Sequence, residues 1–129
     1  MAQLSNANLT ITSDDAKKTS HCVVTCKATF TSFELNEMKE GLKFKLDCTL
    51  WGDDSGLNGS DDSLFTYGSQ FFPDASSTAN ETATFDVTLG TSLLNEDSGT
   101  DEVFAKLTLK NLYTNQKVHK NSNTITRKF

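Results

Sequence analysis

The chain has 129 residues, 36% of them hydrophobic and 22% charged, with a formal net charge of −5. That length suits one domain that buries a core without staples, spanning 1–129, and the composition is not that of a disordered chain. No apolar run approaches the ~20 residues of a membrane-spanning helix, and the opening MAQLSNANLTITSDD lacks the basic and apolar regions of a secretory signal, so nothing places the chain in a compartment.

Taken in chain order, period-two alternation dominates. Leu9 and Ile11 alternate in Asn8–Thr12. Cys22, Val24, Cys26, Ala28 and Phe30 share one face, opposite Val23, Thr25, Lys27 and Thr29. The stretch Phe33–Glu40 reads either as two helical turns or as a wide connection closed by Gly41. From Leu42 the pattern is sharpest: Leu42, Phe44, Leu46, Cys48 and Leu50 fall on one face, with Lys43, Lys45, Asp47 and Thr49 on the other. Helical spacing would mix these sets, so this is a half-buried strand. Trp51 continues its polar face.

Leu64–Phe72, apolar on both faces, predicts one further strand. Ala83, Phe85, Val87 and Leu89 alternate, as do Val103, Ala105, Leu107 and Leu109, and a weak last strand runs over Asn123–Phe129. Ser92–Asp97 reads as one helical turn with Ser92 as its N-cap, and His119 falls in a basic loop. Turn signals separate these runs. The expectation is an all-β fold: an antiparallel β-sandwich of about seven to eight strands with immunoglobulin-like or C2-like architecture, or alternatively a small β-barrel. The Cys…Trp…Cys order of a true immunoglobulin domain is absent, since Trp51 follows all three cysteines.

Charge is laid out unevenly. Residues 51–102 hold eleven acidic residues and no Lys or Arg, whereas residues 103–129 hold six Lys or Arg and no acid. The plainest account is an acidic middle and a basic end pairing across a sheet. Phosphate neutralisation dominates nucleic-acid affinity, so an acidic chain argues against that partner. Two acidic loops, Asp53–Asp62 and Glu96–Glu102, precede or follow strong strands. If they converge at one end, Asp53, Asp54, Asp61, Asp62, Glu96, Asp97 and Asp101 form a candidate metal site. Calcium is the cation that such oxygen-rich loops suit. The EF-hand test fails: counting from Asp53, the twelfth position is Leu64, where a bidentate Glu is required.

Cys22 and Cys26 lie four residues apart on one strand, so at ~3.3 Å per residue they neither bond each other nor share a zinc ion. All three cysteines read as core positions. The three sequons, at Asn8, Asn58 and Asn80, carry weight only in a secreted eukaryotic chain. No nucleophile elbow, phosphate loop or HExxH occurs, and no catalytic residue is assigned. Trp51, Phe65, Tyr67, Phe71 and Phe72 are the aromatic candidates for sugar or peptide binding.

Three functions follow in order. First is a non-catalytic binding module acting through its loops, calcium-assisted, with a protein or carbohydrate partner. Second is a structural or self-associating subunit. Last is a small hydrolase using an Asp, His21 or a Cys.

Overall fold

A computed structural model describes residues 1–52, 62–74, 78–95 and 100–129. Its elements in chain order are β1 (Gln3–Asp14), β2 (Thr19–Thr29), α1 (Ser32–Lys39), β3 (Phe44–Gly52), β4 (Asp62–Thr66), β5 (Gln70–Phe72) and β6 (Asn80–Gly90). A 3-10 turn (Thr91–Leu93), β7 (Asp101–Asn111), β8 (Lys117–Asn121) and β9 (Ile125–Arg127) follow. Among the described residues, nine strands form two antiparallel sheets. The smaller has the order β1-β2-β6. The larger has the order β4-β3-β7-β8, with β5 also pairing β3 and β9 also pairing β7. The all-β class is therefore as the alternation predicts. No helix among these residues is long and apolar enough to cross a membrane.

Alternation sorts the side chains. In β2, Cys22, Val24, Cys26 and Ala28 point inward, and in β3 so do Phe44, Leu46, Cys48 and Leu50. With Leu9, Ile11, Phe85, Val103, Ala105, Leu107 and Leu109 they make one core from both sheets. Each large apolar side chain removed from water contributes ~1.5–3 kcal/mol. Tyr67 spans this core: its hydroxyl donates to the Cys22 carbonyl at 2.9 Å, tying the β4–β5 connection to β2.

One side-chain amide clasps each flank where the sheets meet. Beside β1, the Leu9 N–H donates to Asn123 Oδ1 at 2.7 Å, and Asn123 Nδ2 donates back to the Leu9 carbonyl at 3.1 Å. Beside β6, Gln70 Nε2 donates to the Thr84 carbonyl at 2.7 Å. Each amide stands in for a peptide unit at a strand edge that would otherwise go unpaired.

Several expectations need correction. The strand expected over 64–72 is two strands, because Tyr67 turns into the core and Gly68 and Ser69 break the run. β8 was not expected, and His119 lies in it rather than in a loop. Ser92 lies inside the 3-10 turn, whose N-cap is Gly90, without a side-chain cap. The last strand covers only Ile125–Arg127. Of the two readings of Phe33–Glu40, the helix holds. Thr31 accepts from the Glu34 N–H while the Glu34 carboxylate accepts from the Thr31 N–H, a reciprocal capping box. The same buried carboxylate also accepts from the Ala2 N–H.

Candidate functional site

The outer face of the larger sheet carries the chemistry that the core does not use. Outward positions alternate with the buried ones, and pairing registers align them into cross-strand rows. Lys45, Lys110 and Lys117 form one row over β3, β7 and β8. Asp47, Thr108 and His119 form the next, then Thr49, Lys106 and Asn121. Trp51 and Phe104 form the last. An open groove of about 490 Å³ runs across these rows, lined by Asp47, Thr49, Trp51, Lys106, Thr108, His119 and Asn121.

Its floor is aromatic at one end. The Lys106 ammonium stands 4.3 Å from the centre of the Trp51 ring and 5.6 Å from that of Phe104, a cation held on the negative ring faces. Along the groove the polar groups are fixed by neighbours. His119 Nδ1 and Thr108 Oγ1 share a hydrogen bond at 3.0 Å. Asp47 accepts from the Ser69 hydroxyl and has Lys45 Nζ at 3.8 Å. The groove thus sets hydroxyls, an amide, a carboxylate, an imidazole and an ammonium beside an indole. That combination reads a ligand rich in hydroxyl groups that also offers an apolar face.

Sequence reasoning looked first to the loops. Asp62 opens β4 and is exposed, whereas Asp101 opens β7 and is buried. Gly52 is in register with both Asp62 and Val103, so the stems of the two acidic loops do meet at one end of the larger sheet. Asp53, Asp54, Asp61, Glu96 and Asp97 lie outside the described residues. Among the described residues, no three His, Cys, Asp or Glu side chains gather as a metal site. Asp101 faces Arg127 across the β7–β9 pairing, which is where the acidic middle and the basic end meet.

Of the aromatic candidates, Tyr67 and Phe72 are buried, Phe65 packs against the core, and only Trp51 and Phe71 belong to the outer face. The thiols are free and buried. Burial pushes Cys22 and Cys26 up to about 11 and Cys48 up to about 12, so none is a thiolate near neutrality. His21 pairs with Asp86 at 2.5 Å on the exposed face of the smaller sheet, away from any thiol. Sequence reasoning assigned no site role to Asp47, Thr49, Lys106, Thr108 or Asn121, nor to the row Lys45, Lys110 and Lys117. Alternation alone turns Lys106 and Lys110 outward, but only the register shows what they line up with.

No family model matches the chain, and no curated protein matches it. A solved structure described as the X-ray structure of the Northeast Structural Genomics Consortium target SoR45 superposes with a TM-score of 0.41 at 7% identity. The match covers 98% of this chain and 85% of that one, and similarity at this level assigns neither family nor function.

Proposed function

We propose that the chain is a non-catalytic binding module whose ligand is a saccharide chain lying in the groove on the outer face of the larger sheet. The observation that carries this reading is the groove itself: Trp51 at one end, followed by Asp47, Thr49, Thr108, His119 and Asn121, all on one face and all placed by strand register. Sugars present hydroxyl edges and apolar ring faces together, and this lining answers both. The thiols take no nucleophilic part in this reading, since burial in the core raises the pKa of all three.

Trp51 is the one tryptophan in the chain, so intrinsic fluorescence reports the groove directly. Titration with soluble oligosaccharides is expected to shift or quench that emission, and Trp51→Ala is expected to abolish retention in affinity electrophoresis through polysaccharide gels. Unchanged emission and unretarded migration across neutral and acidic glycans would refute the reading. Calcium assistance, which would come from the acidic loop stems at Asp62 and Asp101, is read by repeating the titration in EDTA and in millimolar Ca²⁺.

A second reading, a self-associating subunit, rests on β6. This edge strand of 11 residues pairs only with β2 among the described residues and, apart from the Gln70 contact at Thr84, contains neither Lys nor Pro to blunt its edge. Sedimentation velocity at rising concentration tests this reading, which expects reversible oligomers, and a chain that stays monomeric would refute it.

A further inference from the structure

We infer that the ligand of this face is an acidic polysaccharide, held by its carboxylate or sulfate groups over the lysine row Lys45–Lys110–Lys117. This rests on the saccharide reading above and adds the charge of the ligand to it. Lys45 is directly opposite Lys110, and Lys110 directly opposite Lys117, so three like charges sit on adjacent strands. Neighbouring strands lie about 4.8 Å apart, which puts the three backbone positions within about 10 Å. Like charges directly opposite each other destabilise a sheet, so such a row is retained at a cost to the free protein.

The compensation inside the protein is partial. Lys45 has Asp47 at 3.8 Å, while Lys110 and Lys117 have no ion-pair partner among the described residues. Beyond Lys45, the same row ends in Phe71, which is 50% exposed and pairs with Lys45 in register. An aromatic ring beside three ammonium groups accepts a sugar whose ring stacks while its acidic group is neutralised. The next row, Asp47–Thr108–His119, opens the groove, so one linear chain lying along β3 meets the lysines first and Trp51 last. The distance from Lys45 to Trp51 is about 20 Å at 3.3 Å per residue, which is room for several sugar units.

Asp47 argues for a glycan over a nucleic acid. It sits mid-face, where an acceptor-only carboxylate takes hydrogen bonds from sugar hydroxyls, of which an internal deoxyribonucleotide offers none.

The test is a binding panel on the intact chain: oligogalacturonate as carboxylate probe, a sulfated galactan as sulfate probe, a neutral galactan, and oligo-dT. Trp51 emission and affinity electrophoresis are the readouts. Acidic glycans are expected to bind, more weakly as NaCl rises from 50 to 200 mM, and the better of the two names the anionic group. The double variant Lys110→Gln/Lys117→Gln is expected to weaken that binding about tenfold or more while its Tm stays equal or rises, because the substitution relieves repulsion. Lys117→Gln alone, on the exposed edge strand, is expected to give a smaller loss of the same kind. Equal binding of neutral and acidic galactans, unmoved by the lysine variants, overturns the inference and leaves the saccharide reading standing. No binding to any glycan overturns both. Binding of oligo-dT in preference to glycans overturns the inference in favour of a nucleic acid. A fall in Tm on Lys→Gln substitution would assign the row a structural role instead.

Discussion

Phe44 is 2% exposed and packs its ring 5.0 Å from that of Phe30, whose other ring neighbour is Phe72 at 5.6 Å. Removing that ring leaves a cavity between three elements that cannot all collapse into it. Phe44→Ala is therefore expected to cost about 3–5 kcal/mol in urea unfolding. The cysteines carry a different signature. Their usual pKa of 9.0 is raised by burial to about 11 for Cys22 and Cys26 and about 12 for Cys48. Tyr67 is raised in the same direction, first by burial. Above pH 9 the unfolded chain loses the thiol protons, and above pH 10 that of Tyr67, while the folded chain keeps them, so the unfolded state binds fewer protons and stability falls as pH rises. The contribution is whole below pH 9 and is lost between 9 and about 11–12, at up to about 1.4 kcal/mol per pH unit for each group. Tm measured from pH 7 to 11 should stay level on this account up to about pH 9 and then drop, with a shallower fall in Cys48→Ala. A Tm independent of pH through 11 would contradict the burial of these groups.

The elements that sequence reasoning missed have chemical causes in common. The β1–β2 and β7–β8 turns contain neither Gly nor Pro. Each is closed by an Asx motif instead: Asp14 Oδ1 accepts from Ala16 and Lys17, and Asn111 Oδ1 accepts from Tyr113 and Thr114. Lys18 and Asn115 take the left-handed backbone, with φ of 54° and 63°, that glycine usually supplies. β8 escaped notice because Lys117–Asn121 holds one apolar residue, Val118, as suits an exposed edge strand blunted by lysines. Strands with one buried face, β2, β3 and β7, were legible from alternation alone. Between β8 and β9 the ladder would break at Ala105. Ser122 fills the gap, its N–H donating to the Ala105 carbonyl and its hydroxyl accepting from the Ala105 N–H. Asn123 then clasps β1. In Asn123→Asp the donor to the Leu9 carbonyl is lost and a carboxylate faces that oxygen. The variant is expected to lose about 1–3 kcal/mol and to speed amide exchange at Leu9. Unchanged exchange there would mean that the clasp is not what protects this edge.

At the scale of the whole molecule, charge is segregated along the strands of the larger sheet. The lysine row lies at the start of β3, and the stems of the acidic loops lie at its end, beside Gly52. At 3.3 Å per residue these ends stand ~25 Å apart, beyond the ~8 Å screening length at physiological ionic strength. They therefore do not neutralise each other, and Asp101 facing Arg127 is the exception in register. The composition made the asymmetry visible, since it is a matter of counting. Where each charge comes to rest was not visible, because it depends on which strands pair and in what register. The groove was hidden for the same reason: Trp51, Lys106 and Asn121 lie far apart in the chain and meet only through the β3–β7–β8 pairing.

The Asn123 clasp also sets a timetable. It joins residues 114 positions apart, and β2 must wait for β6 before its second edge is paired, with Thr29 meeting Asn80 and Thr19 meeting Gly90. A ribosome releases the β1–β2 hairpin long before β7 exists to cover its apolar side. Early in synthesis the chain therefore holds Leu9, Ile11, Val24 and Cys26 in water, with only each other to touch. The final sealing of the β1 edge waits for Asn123, made 114 residues after Leu9. Topologies this non-local fold on the millisecond-to-second scale rather than in microseconds. The half-made chain is then the stage at which this protein most needs shielding from its own copies.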